Sequence, residues 1–398
     1  MARLRRKIFW IGGLALLFVL VSGAYLYFIG TKRLLEHAEA WNFRRMTVAT
    51  LAEKDKLRFF FATNRAISNQ DGSFEDRFKN ERIDVTSFGS FDTIIKPTLG
   101  LGMIIDPSSW FLNEEIRLSG MRILPQEDFQ EELGKQVKAS PGQSLMIVVH
   151  GFREAFPSAL RKTAFLGHIL DIDTPVLVFD WPGNQGSSLR GYRRARNVAG
   201  ESGKDLAALL RSVIEEIRPE RLWLIANSMG GEVVVEAFSD LAKDPDLADA
   251  DIEIEDIILT APDVSREKFN NQFKHDLKSL AGNTTVYVSS NDRALLASRL
   301  INRSARLGES TLDPSNPSQI EEAEGFAKLL EPGEDRLVLV DVTAVNRTRN
   351  FHNFSLETPE FFDDLFLRLT GSDLPQTREL YDIETPDGSR YFVLTRGR

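Results

Sequence analysis

Short, largely apolar runs separated by amphipathic stretches set the pattern of this chain. Residues 145–149, 176–179, 222–225, 257–260, 285–289 and 337–340 form six such runs. Continuous apolarity over so few positions predicts strands buried on both faces rather than strands with one wet side. Between and after them, residues 158–170, 201–217, 232–241 and 293–306 repeat apolar positions at helical spacing. Strands alternating with helices predict a mostly parallel sheet covered by helices on both faces, with active residues gathered at the carboxyl ends of the strands. Upstream, 57–62, 91–95 and 115–124 read as strands, 126–137 as a helix and the polar stretch 66–81 as an exposed loop. Downstream, 309–335 is a Pro/Ser/Glu-rich insertion that reads as a surface loop, with a lid as the alternative. Residues 380–383 and 391–394 read as a hairpin joined across Pro386-Asp387-Gly388.

The amino terminus breaks the pattern. Arg3, Arg5, Arg6 and Lys7 precede an uncharged apolar run over 8–30, closed by Lys32 and Arg33. At about 1.5 Å per residue a helix of that length crosses a hydrocarbon core of about 30 Å. The flanking charges predict a single-pass anchor in the cytoplasmic membrane, with the amino terminus inside and the body exported (periplasmic in a Gram-negative cell). The alternative is a signal peptide cleaved near Ser22-Gly23-Ala24, releasing a secreted protein. The expected organisation is an anchor at 1–33, a stalk at 34–54, a catalytic domain at 55–371 and a hairpin tail at 372–398.

Composition narrows the chemistry. The chain has 398 residues, 42% of them hydrophobic, a net charge of −9 and no cysteine, so disulfides and thiolate chemistry are excluded. Beyond residue 33 there are 43 basic residues against 58 acidic ones, an acidic body that argues against nucleic acid as a partner. No histidine pair has zinc spacing, and Gly200-Glu201-Ser202-Gly203-Lys204 is too short for a phosphate loop, with Asp205 where magnesium would need Ser or Thr. Neither a metal nor a cofactor is expected.

The decisive stretch is Ala226-Asn227-Ser228-Met229-Gly230, an apolar run leading into a helical pattern with serine at the turn. That is the nucleophile elbow, with alanine at the first of its two glycine positions. A serine hydroxyl needs a base, an orienting acid and donors for the oxyanion that forms. Of five histidines, His352 follows the last strand and fits the order Ser…Asp…His. Asp292, after the run at 285–289, is the first choice for the acid, and Asp263, after the preceding strand, is the alternative. The amides of Phe152 and Met229 are the expected oxyanion donors. His150, Gly151 and Trp181 are expected to wall the pocket, with the role of the His150 ring open.

Eight blocks in order make this chain resemble the α/β-hydrolase family of unknown function, number 900, a mostly bacterial group similar to serine esterases and lipases. They are Phe61-Ala62-Thr63-Asn64-Arg65, Val148-Val149-His150-Gly151-Phe152, Asp180-Trp181-Pro182, Ala226 to Gly230, Ala261-Pro262-Asp263-Val264, Ser290 to Leu295, Arg306-Leu307-Gly308 and His352. The resemblance implies an α/β-hydrolase fold and a Ser228, Asp292, His352 triad, with Phe351 where members often carry glycine. A membrane-anchored serine hydrolase, cleaving a small-molecule or lipid carboxylic ester through an acyl-enzyme, is the expected function. A non-catalytic envelope binding protein on the same scaffold, or an amidase or peptidase using the same triad, are the alternatives.

Overall fold

The computed structural model describes Phe18 and residues 57–95, 116–244, 254–289, 292, 337–346, 354–371, 378, 380–384 and 390–395. The expected stalk, the helix expected at 293–306, the insertion at 309–335 and His352 lie outside the described residues, as does the expected anchor apart from Phe18. Among the described residues no helix is long and apolar enough to cross a membrane.

Among the described residues eleven strands form one sheet. In chain order they are β1 (Leu57–Ile67), β2 (Phe78–Ile95), β3 (Ile116–Leu124), β4 (Ser144–Val149), β5 (Val176–Asp180), β6 (Arg221–Asn227), β7 (Ile254–Thr260), β8 (Ala281–Val288), β9 (Leu337–Asp341), β10 (Leu380–Glu384) and β11 (Arg390–Leu394). Their spatial order is β10-β11-β9-β8-β7-β6-β4-β5-β1-β2-β3. The block from β1 through β5, β4, β6, β7 and β8 to β9 is parallel throughout, and β11 joins it parallel to β9, Phe392 facing Val340. Antiparallel pairs flank it, β1–β2–β3 on one side and β10–β11 on the other. The carboxyl-terminal hairpin is therefore an extension of the central sheet.

The helices used below are α1 (Gln126–Ala139), α2 (Phe156–Leu170), α3 (Leu189–Ser212), α4 (Gly230–Leu241), α5 (Lys274–Leu280), α6 (Phe354–Glu357) and α7 (Pro359–Leu369). Strand alternation divides the core between the two faces. Leu145, Ile147, Val149, Leu222, Leu224 and Ala226 pack with α1, α3 and α4, whereas Met146, Val148, Trp223 and Ile225 pack with α2 and α7. Each fully buried Leu, Ile or Phe contributes about 1.5–3 kcal/mol, so a strand buried on both sides gains from every position and needs no polar alternation.

Two expectations are corrected. The polar stretch 66–81 is not one loop, because β1 runs on to Ile67 and β2 starts at Phe78, with Arg65 opposite Arg82 and Ile67 opposite Phe78. Pairing between the two strands, rather than local hydropathy, extends them. The helix expected from 201 begins at Leu189. The Ser188 hydroxyl caps it by accepting from the Gly191 N–H at 3.1 Å, an interaction worth about 1 kcal/mol. Gly191 has no room for a side chain, since a Cβ would lie 2.2 Å from the Gly186 carbonyl oxygen. The rejected phosphate-loop pattern lies inside this helix, and Asp205 accepts hydrogen bonds from Asn64 and Arg82.

Candidate active site

At the end of β6 the chain turns sharply into α4, with Ser228 at the apex in the left-handed region, φ 52°. A non-glycine residue held there costs on the order of 1–3 kcal/mol and persists only where its surroundings over-determine it. Here they do. The Ser228 N–H donates to the Thr260 carbonyl at 2.9 Å, and the Ser228 carbonyl accepts from the N–H groups of Gly231 and Asp263, both at 3.0 Å. The turn also demands Gly230, whose Cβ would meet the Val149 and His150 carbonyl oxygens at 2.6 and 2.7 Å. Met229 follows the serine as the N-cap of α4 and is fully buried.

The His150-Gly151-Phe152 loop leaves β4 directly against this elbow. A Cβ on Gly151 would sit 3.1 Å from the Ser228 Cβ, so glycine is what lets the two backbones meet. The Phe152 ring packs edge-on against Tyr192 of α3 at 5.6 Å, and the Tyr192 hydroxyl donates to Asp263 at 2.6 Å. Asp263 is thus tied to the elbow twice, by its own amide to Ser228 and by its carboxylate to Tyr192. Asp292 is buried past the end of β8, its amide directed at the Ser289 carbonyl at 3.4 Å.

Two described residues, Asn346 and Ser355, hydrogen-bond to this neighbourhood. The Asn346 side chain donates to Ser289, three residues short of Asp292, at 2.9 Å. Ser355 in α6 accepts from the Asn227 side chain at 2.8 Å. Asn227 immediately precedes Ser228 and also donates to Thr260 Oγ1 at 2.9 Å. The structure therefore brings Ser228, Met229, Gly151, Phe152 and Asp263 together. Asn227 joins these residues without a role assigned from sequence, where an amide beside the serine is its signal.

Beneath the His150 loop lies a buried polar cluster. The Asp180 carboxylate, at the end of β5, accepts from Arg65 Nε at 2.7 Å and Nη2 at 3.0 Å and from Thr63 Oγ1 at 2.5 Å. Burial pushes this carboxyl up, but the Arg65 charge and the His150 hydrogen bond outweigh it and hold the carboxyl at about 2. His150 Nδ1 lies 2.9 Å from the Gly151 carbonyl, so that nitrogen carries a proton. His150 Nε2 lies 3.1 Å from the Trp181 backbone nitrogen, whose N–H it accepts, and 3.1 Å from Asp180 Oδ1. Trp181 stacks on His150, ring planes 4° apart, and its indole donates to the His150 carbonyl at 2.8 Å. Among the described residues no group of three or more His, Asp or Glu side chains could hold a metal ion.

Residues 125–364 match the profile of a family described as alpha/beta hydrolase of unknown function. The chain belongs to that family. No curated protein matches this alpha/beta hydrolase in sequence. Among solved structures it is similar to a lidless a/b serine hydrolase from Xanthomonas campestris, with 16% identity and a TM-score of 0.33 over 58% of this chain and 83% of that one. It is also similar to a thermophilic esterase from Thermogutta terrifontis, with 14% identity and a TM-score of 0.30 over 57% and 84%.

Proposed function

We propose that this alpha/beta hydrolase is a serine hydrolase that cleaves a carboxylic ester through an acyl-enzyme. The observation that carries the reading is the left-handed backbone of Ser228 at the strand-to-helix apex. That geometry lifts a hydroxyl off the sheet and sets the next amide beside it, and such strain is kept where function needs it. Ser228 Oγ attacks the acyl carbon as His352 takes its proton, and the carbonyl oxygen becomes an oxyanion between the amides of Phe152 and Met229. His352 then protonates the leaving alcohol, and a water molecule repeats the cycle to release the acid.

Asp292 is the proposed acid that orients His352. The Asn346–Ser289 bond ties the exit of β9 to the exit of β8, which supports pairing residues that follow those two strands. Asp263 has its carboxylate engaged by Tyr192 and its amide by Ser228, a supporting role for the elbow. No cofactor takes part. In the same reading the apolar segment 8–30 anchors the chain in a membrane, with the domain exported and acting on a small-molecule or lipid ester.

Fluorophosphonate labelling of the full chain in detergent tests this reading, with Ser228→Ala and His352→Ala beside the wild type. Labelling of the wild type alone, together with turnover of p-nitrophenyl butyrate, is the expected result. A folded wild type inert to both probes would give the place to a binding protein on a hydrolase scaffold.

A further inference from the structure

The buried Arg65 has no part in the chemistry above, yet its side chain reaches both loops that border the oxyanion site. Besides Asp180, Nη2 lies 2.9 Å from the Glu154 carbonyl and 2.7 Å from the Trp181 carbonyl, while Nη1 donates to the Asn80 side chain. Glu154 stands two residues after Phe152, and Trp181 opens the loop that faces it. The two loops are laced to each other as well. The Arg153 N–H donates to the Gly183 carbonyl at 2.9 Å, and a Cβ on Gly183 would come within 2.8 Å of the Gly151 carbonyl oxygen.

This lacing holds a conformation the chain would not keep unaided. Arg153 has φ 67°, left-handed for a residue with a side chain, and glycine precedes it by two positions. A strained residue in a glycine-containing loop keeps its conformation only where its surroundings fix it. Any shift here would carry the Phe152 amide with it, since Phe152 lies between Gly151 and Arg153. A planar guanidinium can serve a carboxylate and two carbonyls in one plane, and an ammonium cannot.

We propose that Arg65 is a positioning residue for the oxyanion loop, acting through Asp180 and His150 on one side and the Glu154 and Trp181 carbonyls on the other. This role rests on the serine-hydrolase reading. Its signature is a loss of turnover without a loss of substrate binding, because the Phe152 donor matters most when charge develops on the oxygen.

The test compares the full-length wild type with Arg65→Lys and Asn80→Ala in detergent. The readouts are kcat and KM for p-nitrophenyl butyrate, the rate of fluorophosphonate inactivation and the melting temperature. Removing an oxyanion donor outright costs about 10²–10³ in rate, so a displaced one is expected to lower kcat about tenfold or more in Arg65→Lys and about threefold in Asn80→Ala. KM stays near the wild-type value, and inactivation slows in parallel with kcat because the phosphonyl oxygen occupies the same hole. Arg65→Lys that melts earlier but turns over like the wild type below its melt would overturn the proposal and leave Arg65 a structural ion pair. If Arg65→Lys does not fold, Asn80→Ala decides, and wild-type kcat there overturns it equally. A folded wild type inert to both probes sinks the hydrolase reading and this role with it.

Discussion

Arg65 with Asp180 and Arg378 with Asp364 are both guanidinium–carboxylate pairs closed off from water, with side-chain exposures of 0%/0% and 3%/0%. The surroundings of the two pairs differ. Around Arg65 and Asp180 the further partners include the Glu154 and Trp181 carbonyls and the His150 ring, in the two loops that border Ser228, besides Thr63 on β1 and Asn80 on β2. Around Asp364, on α7, a further partner is the Tyr287 hydroxyl on β8 at 2.6 Å, with Arg378 arriving from the segment before β10. One pair holds loops whose exact placement the proposed chemistry uses; the other fastens a helix and a chain segment to the sheet. Burial of an ion pair says little about its worth until one asks what it holds still.

The sharpest separation comes from Ser228→Ala. It is expected to lower turnover by roughly 10⁶ while leaving the melting temperature near the wild-type value, since neither buried pair is touched. Asp292→Asn is expected to lower kcat by about 10⁴ through misorientation of His352, with Asp263→Asn far milder. The reverse ranking in steady-state kinetics would make Asp263 the acid. Arg378→Ala reads out the other pair. It leaves Asp364 buried without its cation and is expected to cost about 3–5 kcal/mol, seen as a lower urea midpoint, with kcat of the folded protein near wild type. If turnover fell with stability in that variant, the contrast between the two pairs would collapse.

The two pairs also separate along the pH axis, with a smaller effect. The Asp180 carboxyl sits at about 2 in the folded chain against an ordinary 3.8. Its depressed value contributes roughly 2 kcal/mol, complete above about pH 4 and lost as pH falls toward 2. Burial, followed by the nearby Asp364 charge, raises the Tyr287 hydroxyl well above 10. A raised acid contributes stability that is complete below its ordinary value and lost as pH climbs beyond it. Urea midpoints across pH should therefore fall at both ends, with Tyr287→Phe flattening the alkaline limb alone.

The strands from β4 to β9 were legible because burial on both faces writes an uninterrupted apolar run, and the elbow because its turn demands small residues at fixed offsets. Three things were not. The first half of α3, Leu189 to Gly200, carries Arg190, Arg193, Arg194 and Arg196 on a helix start fixed by a cap and a crowded glycine, so apolar periodicity is faint there. The hairpin from Arg65 to Arg82 is polar because part of it faces water, and pairing alone extends it. In sequence Arg65 follows a short apolar run like any surface arginine, and its meaning depends on Asp180, 115 positions away. Charge partners at that separation leave no local trace in sequence.

The match to the family spans 125–364, and Arg65, Thr63 and the whole of β1 lie before it. A piece of protein excised at 125 would retain Ser228, Asp263, Asp292 and His352. It would nevertheless have to bury the Asp180 carboxylate with no cation beside it, and β5 would lose its neighbour and become a bare edge strand open to pairing with another copy. A fragment that keeps Asp180 paired and β5 covered therefore has to include β1, Leu57–Ile67.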